Sequence, residues 1–144
     1  MSAKLIVRNI AIFLLALLWI YAAASKLVDW EHFKWEMHNQ VLPDFLRDSL
    51  VFALPAAELA TAILLFFERT TALGLWISFC LLTIFTVYIA LVVGHAFSYV
   101  PCSCGGILTN MGWGAHLLFN LAFTALALTT IIIDRKGGSV TTMR

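Results

Sequence analysis

Apolar residues run in long blocks along this chain, separated by short polar breaks. Val7 to Ala24 carries no charge after Arg8, and Leu50 to Phe67 is interrupted only by Glu58. Thr71 to Val93 has no formal charge, and Ala115 to Ile133 begins next to His116. A membrane span takes about 20 mostly apolar residues. Inside a bilayer the backbone must satisfy its own hydrogen bonds, so such blocks become helices even where β-branched residues such as Ile131 to Ile133 cluster. The pattern predicts an all-α integral membrane protein, a bundle of four transmembrane helices at about 7–24, 50–67, 71–93 and 115–133, forming one transmembrane domain over residues 1–144. Lys4, Arg8, the first apolar run and "YAAAS" also fit a signal peptide. The run is long for one, and the first helix is expected to be retained.

The breaks between the blocks set the orientation. Lys4 and Arg8 precede the first helix, Arg69 lies between the second and third, and Arg135, Lys136 and Arg144 follow the fourth. Basic residues favour the cytoplasmic side, so both termini are expected in the cytoplasm. The two longer loops then face outward, which in a bacterial inner membrane means the periplasm. The first of them, from Ser25 to Ser49, mixes Lys26, Lys34 and Arg47 with five acids and with Trp30, Phe33, Trp35 and Phe45. That mixture predicts an interfacial helical segment, broken at Pro43. The loop serves either as a plain connection or as a docking surface.

Composition agrees with a membrane protein. The chain is 62% hydrophobic and 12% charged, about half the charge of a soluble domain. A net charge of +1 and the lack of a basic stripe with interleaved aromatics exclude a nucleic-acid partner.

The candidate chemistry lies in the second outer loop, "PCSCGG". Pro101 fixes its own backbone angle, and Gly105 and Gly106 permit tight turning, so Cys102 and Cys104 are expected on a turn. Three readings stay open. As a redox pair, a disulfide between residues two apart would be strained, easily reduced and suited to exchange with other thiols. As a soft-metal site for Cu(I) or Zn, the two thiolates would need further ligands, and His95 and His116 bracket the loop. The third reading is a loop without chemistry. Cys80 lies mid-helix and is expected to pack as a small apolar residue.

Below that loop, all four helices place polar groups in their outer halves. Glu58 lies about 12 Å from the outer end of the second helix. An ionisable residue at such depth is a functional-site candidate, and His116 or His95 could partner it. Tyr21 and Ser25, Tyr88 and His95, and His116, Asn120 and Thr124 each share a helix face. The inner halves read as nearly pure Leu, Ile, Phe and Ala.

"SKLVDWEHFKWEMHNQVLP", "LPAAELATAILLFF" and "PCSCGG", in this order, resemble the MauE branch of the DoxX-like membrane proteins over about residues 24–127. Lys26, Asp29, Pro55, Glu58, Cys102 and Cys104 fall on the shared pattern. Ser103 stands where the family's turn typically has glycine, and Gly105 where it has an aromatic residue. The resemblance implies a four-helix inner-membrane protein associated with redox maturation of periplasmic proteins.

Taken together, these readings give a thiol–disulfide redox protein. Cys102, Cys104, His116 and Glu58 are the catalytic candidates, and Tyr88, His95 and Asn120 are candidates for holding a cofactor. A quinone is the candidate electron acceptor, by analogy with other four-helix thiol oxidases. The expected partners are a periplasmic thioredoxin-like or client protein and the lipid bilayer. The rival readings are a membrane subunit that anchors an envelope complex and a Cu(I)- or Zn-handling protein.

Overall fold

The computed structural model describes residues 3–98 and 112–141, with side chains as far as residue 135 in the last helix. Among these residues the chain forms five helices and no strand: α1 (Ala3–Val28), α2 (Trp30–His38), α3 (Asp44–Phe66), α4 (Thr71–Val93) and α5 (Trp113–Thr141). All but α2 are long and apolar enough to cross a membrane. The spans of α1, α3 and α5 start earlier than the apolar blocks alone suggest, because a helix continues into polar residues wherever it finds contacts. Thus α1 runs on through Lys26 and α3 begins at Asp44, directly after Pro43.

Packing follows the order of the chain around a ring. α1 lies on α3, α3 on α4, α4 on α5, and α5 returns to α1. Near the termini the ring is closed by Arg8, whose Nε donates to Asp134 Oδ1 at 2.6 Å. The main core runs along the inside of the ring through Leu15, Trp19, Leu65, Leu75, Leu82 and Ile131. The outside is apolar as well: Phe13, Phe52, Ile84 and Leu118 are all more than half exposed. Such a surface suits lipid, whereas on a soluble protein so large an apolar area would be a liability.

Cys80 belongs to this outer surface, as an exposed free thiol on α4 rather than a core residue. A small apolar side chain suits both the lipid face and the core of a membrane helix, so its composition alone does not place it. The half of the bundle near the termini also departs from a purely aliphatic interior. Thr61, Ser78 and Thr130 are buried. Thr61 and Thr130 donate to the carbonyls one turn back, Ala57 O and Leu126 O. Ser78 accepts from the Trp19 indole, Nε1 to Oγ at 2.8 Å, tying α1 to α4.

Two turns fix the frame. Between α3 and α4, Thr70 Oγ1 donates to Leu64 O and Thr71 Oγ1 donates to Phe67 O. The helices then approach so closely that a Cβ on Gly74 would lie 3.1 Å from the Leu65 nitrogen. Between α1 and α2, Asp29 caps the second helix by accepting from His32 N at 3.3 Å, a position where Asp is favoured. Phe33 and Met37 of α2 pack on Val51 of α3, so the short helix lies across the end of the bundle distal to the termini.

Candidate functional site

A cavity of about 130 Å³ opens in the distal half of the bundle. Every helix that could span a membrane contributes to its wall. Trp19, Tyr21 and Lys26 come from α1, Glu58 from α3, Phe85 and Tyr88 from α4, and Trp113, His116, Phe119 and Asn120 from α5. Trp19 and Lys26 are two helical turns apart on one face, so the cavity is about 10 Å deep.

Its polar centre is an ion pair. Lys26 Nζ lies 2.9 Å from Glu58 Oε1, with side-chain exposures of 7% and 2%. The ammonium also donates to Ala22 O at 3.0 Å and sits 5.8 Å from the centre of the Phe33 ring. Lys26 lies in the last turn of α1, where the exposed carbonyls of a helix C-terminus favour a cation. The sequence gives no hint of this pairing: a lysine at the end of an apolar run reads as an interfacial loop residue. Glu58 therefore pairs with Lys26, rather than with His116 or His95 as anticipated. Its other oxygen, Oε2, is buried with no hydrogen-bond partner among the described residues. The same holds for His116 Nδ1.

A second residue that sequence reasoning missed is Gln40, which lies between α2 and α3 and is buried. Its Nε2 donates to Glu36 O, and its Oε1 accepts from the Tyr88 hydroxyl at 2.6 Å. This link joins the end of α2 to α4 across the cavity. Glu36 is buried beside it, with His32 Nε2 at 3.2 Å. Burial pushes the Glu36 carboxyl above its ordinary value, and the neighbouring His32 and Lys26 partly oppose that shift.

Of the residues singled out from the sequence, the cavity brings together Glu58, Tyr88, His116 and Asn120. His116 stacks against Trp113, with ring centres 6.3 Å apart. Asn120 is buried one turn further along, and Thr124 below it meets Thr86 at 3.3 Å. Tyr21 is a lining residue, while Ser25 donates to Ala22 O. His95 lies just past α4, exposed, with a positive φ of 54°, and is not among the lining residues. Cys102 and Cys104 lie outside the described residues. The chain that carries them joins α4 to α5, and both helices line the cavity near that junction, through Tyr88 and Ile89 on one side and Trp113 and His116 on the other.

The wall is suited to an aromatic guest. Six of its side chains are aromatic: Trp19, Tyr21, Phe85, Tyr88, Trp113 and Phe119. Apolar cavities of about 150 Å³ hold a benzene-sized ring, so this one has about the volume of a single ring.

Comparison with known proteins gives one match. Neither the curated proteins nor the solved structures provide a significant relative. The family described as methylamine utilisation protein MauE matches residues 4–133, which takes in all four long apolar helices and the cavity they line. A match over that much of the chain identifies the family: this is a multi-pass membrane protein of the MauE family.

Proposed function

We propose that the chain is a thiol–disulfide redox protein of the bacterial inner membrane, with both termini in the cytoplasm. In this reading Cys102 and Cys104 face the periplasm and exchange with a thioredoxin-like protein or a folding client. A client dithiol attacks the Cys102–Cys104 disulfide as a thiolate. The client gains the disulfide and the pair becomes a dithiol. Re-oxidation of the pair releases two electrons and two protons. A quinone, held by the cavity wall with Tyr88, His116 and Asn120, would supply the two-electron, two-proton acceptor chemistry that the side chains lack.

The observation that carries the reading is the place of the cavity. It lies between the end of α4 and the start of α5, the two points from which the Cys-x-Cys segment is strung. His116, in the first turns of α5, is the ionisable group nearest that segment in sequence on the cavity wall. It is suited to take the proton that a client thiol gives up on becoming the attacking thiolate. Trp19, Phe85 and Phe119 make the remainder of the wall apolar.

The test is thiol trapping in native membranes with a mass-adding reagent, in the wild type and in Cys102→Ser and Cys104→Ser. A mixture of oxidised and reduced pairs that shifts with the redox state of the quinone pool is expected. A pair locked oxidised under every condition would instead make the protein an anchoring subunit of an envelope complex. A pair locked reduced with bound metal would make it a Cu(I) or Zn handler.

A further inference from the structure

We propose that the cavity discriminates between the two redox forms of its ring ligand and holds the reduced, dihydroxy form through Glu58, with Lys26 as the positioning residue. This rests on the reading above that the ligand is a quinone-class lipid. It adds which form binds better and which atom makes the distinction.

The starting point is an unused acceptor. Glu58 is 2% exposed, yet only Oε1 is engaged, by Lys26 at 2.9 Å. Oε2 faces no partner among the described residues. An ionised carboxylate accepts hydrogen bonds and cannot donate them. A buried acceptor left unsatisfied is costly, so a guest that brings a donor is favoured over one that does not. The oxidised ring presents two carbonyl oxygens, which are acceptors only. The reduced ring presents two hydroxyls, each a donor. Glu58 Oε2 therefore matches the reduced ring and opposes the oxidised one.

Lys26 makes that distinction possible. Its three donors are directed to Glu58 Oε1, to Ala22 O and toward the Phe33 face. This fixes the carboxylate in place and leaves Oε2 as the buried oxygen without a partner among the described residues. Of the remaining lining residues, His116 has an Nδ1 that is also unpartnered among the described residues, and it donates or accepts according to its tautomer, so it serves either form. The aromatic rings stack on any planar head, and Asn120 has both a donor and an acceptor. The preference therefore comes from a single oxygen atom. A site of this kind lets go of the oxidised ring easily and holds the reduced ring longer.

The experiment uses purified protein in detergent and two short-tailed probes, decylubiquinone and, under anaerobic conditions, decylubiquinol. Binding is followed by quenching of tryptophan fluorescence, since Trp19 and Trp113 line the cavity. The wild type is expected to bind the quinol about tenfold more tightly than the quinone, the size of effect given by one hydrogen bond to a charged group. Glu58→Gln is expected to bring the two affinities within about twofold, by weakening the quinol and by offering the quinone an amide donor. The double variant Lys26→Met/Glu58→Gln, which leaves no unpaired charge behind, is expected to do the same. Equal affinities in the wild type, or a preference that survives either variant, would overturn the proposal while leaving a quinone site standing. Failure of the wild type to bind either probe would overturn both this inference and the quinone part of the proposed function. The wild-type comparison needs no variant to fold.

Discussion

Removing the Lys26 ammonium should cost this bundle more than removing the Glu58 carboxylate, and removing both should cost least. At 2.9 Å the attraction between the two charges is about 6 kcal/mol for an effective dielectric constant near 20. Taking two ions out of water costs several kcal/mol each, so the pair as a whole contributes little net stability. Its members taken singly are another matter, because breaking a buried pair leaves one charge uncompensated, at about 3–5 kcal/mol. Lys26→Met should fall at the upper end of that range. It strands Glu58 among apolar neighbours and also removes the contacts with Ala22 O and Phe33. Glu58→Gln should fall at the lower end, about 3 kcal/mol, because Lys26 keeps those contacts and the favourable end of α1. The double variant should lose less than Lys26→Met alone. The assay is reversible unfolding in mixed micelles with increasing dodecyl sulfate, followed by far-ultraviolet circular dichroism, for all four proteins of the cycle. Losses that simply add in the double variant would refute the argument, since independent residues show no coupling.

Two further outcomes follow from the geometry. Ser78→Ala should leave the Trp19 indole N–H without its acceptor and lower stability by about 0.6–2 kcal/mol in the same unfolding assay, the scale of interhelical hydrogen bonds in membranes. An unchanged transition would mean that the 2.8 Å contact holds nothing together. Glu36 sets a pH dependence on the docking of α2. Its carboxyl is raised by burial, so the folded state favours the protonated form. The corresponding stability is full below the ordinary carboxylate value and is lost as pH rises through the elevated one. Hydrogen exchange at the α2 amides should therefore quicken over that interval, and Glu36→Gln should flatten the response. Exchange that slows with rising pH, after correction for its intrinsic rate, would reverse the assignment.

The four long helices were legible because length and unbroken apolarity are properties of a single segment, and a bilayer leaves the backbone few alternatives. Glu58 and His116 were legible as isolated polar residues in such segments. Lys26 was not, since its role depends on a residue 32 positions away, and no helical period relates the end of one span to the middle of the next. Gln40 was hidden for the same reason: nothing local marks a glutamine near Pro43 as the partner of Tyr88. Cys80 was misplaced because inside and outside are equally apolar in a lipid-facing bundle, so the usual reading of burial from hydrophobicity has no contrast to work with. Helix α2 was legible as helical material by its mixed composition, whereas its seat on Val51 came only from the fold.

The contact between Arg8 and Asp134 has a consequence for the order in which the protein is made. It joins α1 to α5, and the cavity likewise draws on both, through Trp19 and Lys26 of α1 and Trp113 to Asn120 of α5. While the ribosome is still translating α5, the earlier helices can pair but the site has no fourth wall. The cavity is thus a late product of biogenesis, completed only when α5 has been released into the membrane. A chain arrested or truncated before α5 would carry the Lys26–Glu58 pair into the bilayer with one side open to lipid, a feature by which membrane quality control could tell an unfinished protein from a finished one.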